Sequence, residues 1–162
     1  MLKEIIRTIL HLLNDCLRRW KLVPMARSRY FFEFYESKYK NTFFGYYDKT
    51  PFNRDGSKIL ALATDHDDVM VKAEPASVGF FDVESKAFQE IDRTTTWCWQ
   101  QGCRSIWLSN DTFIYNKIID GDYGSSVYSI KANAIIESYN FPIYDLSSDS
   151  SLALSLNFAR LQ

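Results

Sequence analysis

Four short stretches carry side chains whose types and spacing could do chemistry. Trp97-Cys98-Trp99-Gln100-Gln101-Gly102 sets two indoles beside two adjacent amides. Tyr46-Tyr47-Asp48 and Tyr144-Asp145 each run from an aromatic ring to a carboxylate, and Asn157 and Arg160 close the set. Such residues suit a sugar. Aromatic faces stack on the apolar C–H patches of a pyranose, and amides and carboxylates bond its hydroxyls. The plainer alternative is that Trp97 and Trp99 are packing residues and that Gln100 or Gln101 satisfies buried backbone groups.

Asp48 and Asp145 could form an acid/base pair of the kind that cleaves glycosides, which requires carboxyls about 5–10 Å apart. Otherwise they are surface or turn carboxylates. Arg160 could hold a carboxylate or phosphate through its two-pronged guanidinium, or lie at the surface. Asp65-His66-Asp67-Asp68 gathers oxygen and imidazole donors that a divalent cation would accept. It lacks the spacing of a cation-binding loop and reads better as a solvated acidic loop, so no metal and no cofactor are expected. The six glycines are scattered and serve turns, with Gly121-Asp122-Tyr123-Gly124 reading as a hairpin connection. With two histidines in the chain, no Ser–His–Asp arrangement is evident.

These residues need strands to position them. Runs of β-branched and aromatic residues fall at 58–64, 78–83, 87–91, 104–108, 112–118, 126–132, 135–139 and 152–158, with turn residues between. Three turns share a context. Asp55, Asp111 and Asp149, spaced 56 and 38 apart, each sit in a polar turn that follows an apolar residue and precedes an apolar run. An Asx side chain can bond the backbone two residues on and make such a turn locally. Three further strands lie between consecutive turns, which is the layout of four-stranded propeller blades.

The expected fold is therefore all-β: a partial β-propeller of about two and a half four-stranded blades with an N-terminal amphipathic α-helix. The first blade would use 43–52, 58–64, 77–83 and 87–91, with 65–75 as an inserted loop. The second would use 103–108, 111–118, 126–132 and 135–139. A third would open with 143–146 and 152–158. A small antiparallel meander or sandwich is the alternative. Propellers close with four to eight blades, so the chain reads as a piece of a longer protein, as a protomer whose open blades self-associate, or as an open stack capped by its helix.

Residues 1–24 form that helix and 25–42 a linker, with the blades at 43–162. Leu2, Ile5, Ile6, Ile9, Leu10, Leu13, Cys16, Leu17 and Trp20 recur at helical steps on one face. Residues 1–30 carry a net charge of +5 and the remainder −6, within a total of −1. A basic amphipathic helix can pack on a partner or lie on an anionic membrane through residues 2–22. Arg7 and His11 interrupt any secretory signal. Three cysteines without framework spacing argue for a reducing, cytoplasmic setting, peripheral to the inner membrane if the helix binds there. Near-neutral charge disfavours a nucleic-acid partner and leaves an oligosaccharide or a protein.

The turn–strand units resemble the WD40-like repeats of TolB-type propellers. Phe43-Phe44-Gly45-Tyr46-Tyr47-Asp48-Lys49-Thr50-Pro51-Phe52-Asn53-Arg54-Asp55-Gly56 is similar to the opening blade of bacterial propellers encoded with cell-surface polysaccharide biosynthesis genes. Thr96–Cys103 and Leu154–Leu161 look like segments of that group. The group is distantly similar to oligogalacturonate lyases, seven-bladed enzymes that cleave an acidic oligosaccharide with a metal. The resemblance implies a role in polysaccharide production: a non-catalytic scaffold that binds a glycan or a protein, or alternatively a lyase-like or hydrolase-like enzyme. The lyase metal site depends on several histidines and a glutamine. Gln100 or Gln101 could match the glutamine, but His66 is the only histidine beyond the helix, so the ligand set is incomplete here.

Overall fold

A computed structural model describes residues 35–45, 47–66 and 74–157, all within one compact unit spanning Phe34–Gln162. The helix expected over 1–24, the stretch 25–34, Tyr46, residues 67–73 and Arg160 lie outside the described residues.

The described residues form ten strands: β1 Asn41–Phe43, β2 Lys58–Thr64, β3 Ala76–Asp82, β4 Phe88–Thr94, β5 Ile106–Trp107, β6 Thr112–Ile119, β7 Asp122–Ser129, β8 Ala134–Tyr139, β9 Asp145–Leu146 and β10 Ala153–Leu154. They make three antiparallel sheets with orders β1-β2-β3-β4, β5-β6-β7-β8 and β10-β9. The described residues are thus all-β, two four-stranded meanders and a two-stranded ribbon. No helix among them is long and apolar enough to cross a membrane.

The sheets stack. Leu60, Leu62, Ala76, Val78 and Phe80 of the first sheet share one buried cluster with Cys103 and with Phe113, Tyr115 and Tyr128 of the second. Each large side chain taken out of water there contributes about 1.5–3 kcal/mol. The opposite face of the second sheet, Ile114 and Val127, packs on Ile143 and Leu146 of the third segment. Alternation along β6 explains how one strand serves both neighbours: Phe113 and Tyr115 point back, Ile114 points forward. Polar bonds run across the same seams. Tyr115 and Lys117 both donate to Asp92 of β4, each at 2.5 Å. The Asn116 amide donates to the Ile143 carbonyl at 2.8 Å and accepts from the Ile143 N–H at 2.7 Å.

Two of the three turns use their aspartate as expected. Asp55 accepts from the Ser57 N–H at 2.9 Å and Asp149 from the Ser151 N–H at 3.1 Å. The middle turn is tighter, and Ser109 Oγ takes the N–H groups of Asp111 and Thr112 instead. The residue common to all three is the one that opens the turn. Asn53, Ser109 and Ser147 each accept at the side chain from the N–H of Lys58, Thr112 and Leu152, and each returns its own N–H to that residue's carbonyl.

Several boundaries differ from the sequence reading for local reasons. The opening strand is β1 at 41–43, because Gly45 at φ +130° turns the chain away; residues 47–51 lie outside the strands, and Phe52 bridges Ile59. β5 is two residues long because Arg104 has a left-handed backbone, φ +56°. The hairpin turn is Asp120-Gly121, both at positive φ as a two-residue type I′ turn requires, so Asp122–Gly124 belong to β7. At the end of the stretch read as a linker, residues 35–40 lie along the first sheet. Glu36 bridges Ala87, Tyr35 meets the Phe81 ring edge-on and Tyr39 meets Phe88 likewise. That packing covers the second face of the first sheet at β3, where Ser77 and Phe81 are buried; β2 and β3 are both buried almost continuously rather than in alternation.

Candidate functional site

The segments that enter each sheet converge on a cluster of charges. Residues 47–52, the turn 98–105 and the segment 143–146 bring together Asp48, Lys49, Gln101, Arg104, Ser105, Tyr144 and Asp145. Two glycines allow the first two segments to touch. A Cβ on Gly45 would lie 2.7 Å from the Gln101 carbonyl, and one on Gly102 would lie 2.3 Å from the Phe44 carbonyl oxygen. The Cys98–Gly102 turn, closed by two backbone bonds between those residues, presents the Gly102 approach.

Arg104 is the centre of the cluster and is 5% exposed. Its Nη1 and Nη2 donate to Asp48 Oδ2, each at 3.1 Å, and Nη1 also reaches Oδ1 at 3.4 Å. Its Nε and Nη2 donate to the Tyr144 carbonyl at 3.1 and 2.7 Å. The guanidinium carbon lies 4.3 Å from the centroid of the Tyr144 ring. Every nitrogen of the side chain is therefore engaged within the protein. Lys49 Nζ, itself well covered, meets Asp145 Oδ1 at 2.5 Å and Asp48 Oδ2 at 4.0 Å. Two cations and two carboxylates alternate, so the cluster has no net charge to offer a ligand.

Asp145 is tuned for this role. The Lys49 ammonium bonded to Asp145 holds its carboxyl below the usual value, with the Leu146 N–H adding to the effect. A carboxylate kept ionised in this way is a poor proton donor at neutral pH, whereas glycoside cleavage requires one carboxyl whose pKa is raised. Asp48 and Asp145 do lie in one cluster, but as partners of Lys49 and Arg104. The free space between Phe44, Asp48, Lys49, Gln101, Arg104 and Ser105 is about 10 Å³, room for one water at most.

The remaining site residues are distributed around this cluster. Trp97 and Trp99 stack with Phe43, with centroids 5.6 and 4.7 Å from it and 5.3 Å from each other. Trp97 Nε1 donates to the Glu74 carbonyl at 2.8 Å and its ring packs on the core between the sheets. Their faces are thus spent largely on packing. Gln101 is half-buried at the crevice, and Gln100 is exposed at the tip of the 98–102 turn. Tyr47 is 86% exposed. Asn157 is exposed beyond β10, away from any bond described for the cluster. His66 pairs with Glu74 at 2.5 Å, and no group of three or more potential metal ligands occurs among the described residues.

Arg104 and Lys49 were not singled out by the sequence. Each is the only cation on its entering segment, but neither carries a periodic or motif signal in the sequence. A second polar group lies on the outer face of the first sheet. Glu90 accepts from Tyr39 at 2.7 Å and from Ser77 at 2.8 Å, and pairs with Lys38 at 3.0 Å. Burial pushes the Glu90 carboxyl up, but those three bonds outweigh it and hold the carboxyl at about 2.

The class that the fold defines is an all-β stack of antiparallel meanders joined at one end by a neutralised charge cluster. Comparison with protein-family models, with curated proteins and with solved structures gave no match.

Proposed function

We propose that the chain is an incomplete β-propeller that acts as a non-catalytic glycan-binding scaffold in cell-surface polysaccharide production. The observation that carries the non-catalytic reading is the Arg104 cluster. Its donors and acceptors are consumed in tying three successive sheets together, and Asp145 is held ionised by Lys49. The propeller reading rests on meanders that repeat in order, turn chemistry and stacking direction. Since the crevice admits no sugar, the ligand lies on the rim. Tyr47 and Gln100, exposed on two adjacent entering segments, supply an aromatic face and an amide there.

Titration calorimetry with neutral and acidic oligosaccharides tests this. Tyr47→Ala and Gln100→Ala should each weaken binding about tenfold or more while leaving the thermal midpoint unchanged. Glycan binding that both variants leave intact would remove Tyr47 and Gln100 from the site. The absence of any glycan binding by the parent chain would sink the reading itself.

A further inference from the structure

The chain holds two Asp-Gly pairs, Asp55-Gly56 and Asp120-Gly121, and both lie on exposed turns. Such a pair can isomerise without a catalyst, because glycine has no Cβ to shield its nitrogen or restrict its backbone. The glycine nitrogen attacks the carboxyl carbon of the aspartate. A C–N bond forms, the carboxyl OH and the amide proton leave as water, and a five-membered succinimide closes. Water then opens the ring at either carbonyl. Opening at the former main-chain carbonyl leaves the backbone running through the side-chain carboxyl, as isoaspartate.

The fold holds the two pairs differently. In the first, the nucleophile is occupied: the Gly56 N–H donates to the Asn53 carbonyl at 3.1 Å. The electrophile is occupied too, since Asp55 Oδ1 accepts from the Ser57 N–H at 2.9 Å. The Asp55 N–H donates to Asn110 Oδ1 at 3.2 Å, which fixes the residue against the neighbouring turn. The Ser57 bonds also hold the Asp55 carboxyl below its usual value, in the ionised form that loses an oxygen less readily.

Asp120 and Gly121 are the two loop residues of the β6–β7 hairpin, whose last pair is Ile119–Asp122. Among the described residues no hydrogen bond engages the Asp120 carboxyl or the Gly121 N–H. A Cβ on Gly121 would meet nothing within 4 Å, so the loop has room to turn. Asp120 sits at φ +51°, a left-handed backbone that a residue with a Cβ adopts at a cost. Leaving that conformation for the closed ring therefore gives up little.

The product matters to the hairpin. Isoaspartate adds one main-chain carbon to a loop whose two-residue length sets the pairing from Ile119–Asp122 to Thr112–Ser129. β6 carries Tyr115, Asn116 and Lys117, which bond to the neighbouring segments on either side.

We propose that Asp120 is a site of spontaneous isoaspartate formation that weakens the β6–β7 hairpin, and that Asp55, in the same dipeptide, is protected by its turn. The test is prolonged incubation of the folded 162-residue chain at neutral pH, followed by labelling with a protein isoaspartate methyltransferase and peptide mapping. Isoaspartate should form at Asp120 at least about tenfold faster than at Asp55, where two hydrogen bonds must break first. In urea, with both turns lost, the two sites should react at similar rates. Asp120→Glu, whose longer side chain cannot close a five-membered ring, should lose the signal and keep the fold. The aged parent should also melt below the aged Asp120→Glu variant. Modification of the folded chain that is as fast at Asp55, or absent at Asp120 while the unfolded chain forms it, would overturn the proposal. An aged parent that carries the isoaspartate yet melts with the variant would overturn its effect on the hairpin.

Discussion

Arg104 and Asp48 stand 56 residues apart and are joined by bonds from both terminal guanidinium nitrogens. The same interval separates Trp107 from Pro51, whose carbonyl accepts the indole N–H at 2.7 Å. It is also the spacing of the turn residues Asn53 and Ser109. Arg104 and Asp48 thus occupy corresponding places on adjacent sheets, and their bond fixes one sheet against the next at the end where the loops enter. By also taking the Tyr144 carbonyl, Arg104 extends the tie to the third.

Replacing Arg104 should therefore cost stability before it affects any binding step. Arg104→Ala strands Asp48 and the Tyr144 carbonyl, and should destabilise by about 2–3 kcal/mol, below a fully buried pair because Asp48 keeps partial access to water. Arg104→Lys should recover little, since a single ammonium cannot span both partners. Urea unfolding midpoints of the two variants check this; a lysine variant as stable as the parent would contradict it.

Two glycines separate steric contact from backbone strain. Gly102→Ala adds a methyl 2.3 Å from the Phe44 carbonyl at φ +60°, so the variant must break the contact between the entering segments as well as strain its backbone. Gly56→Ala meets nothing within 4 Å at φ +73° and should cost only the strain, about 1 kcal/mol. Thermal denaturation should place Gly102→Ala well below Gly56→Ala. Equal midpoints would mean that the Phe44–Gly102 approach is not maintained in solution.

Glu90 should shape the acid limb of stability. Its carboxyl falls from 4.5 to about 2 on folding, so its contribution is present above the unfolded value and is lost as pH drops through the interval between them. Glu90→Gln should flatten the decline of the thermal midpoint between roughly pH 5 and pH 2, while leaving the Tyr39 and Ser77 hydroxyls an amide to bond. An unchanged acid slope would show that the Lys38, Tyr39 and Ser77 bonds do not persist.

The strands were legible because their signals are local. Val78 and Phe80 alternate with smaller residues, and the turn residues bond within their own turns. Strand ends were less so, since Arg104 and Gly45 adopt left-handed or turned backbones for the sake of contacts with segments far away in sequence. The aspartates looked like the repeat's fixed points, but the shared bond belongs to Asn53, Ser109 and Ser147, and only the Asp111 turn's shorter length reveals this. Trp97 and Trp99 drew attention by residue type, yet Phe43 takes up much of their ring surface. Arg104 did not, because an isolated arginine carries no periodic signal until Asp48 and Tyr144 are brought to it.

The most direct test of the account is calorimetric titration of an acidic oligosaccharide in the presence and absence of a chelator, with chromatography of the glycan afterwards. A scaffold whose carboxylates are held by Lys49 and Arg104 should bind equally in both conditions and return the oligosaccharide uncut. Cleavage products that form only with added divalent metal, and that are lost in Gln100→Ala or Gln101→Ala, would contradict it.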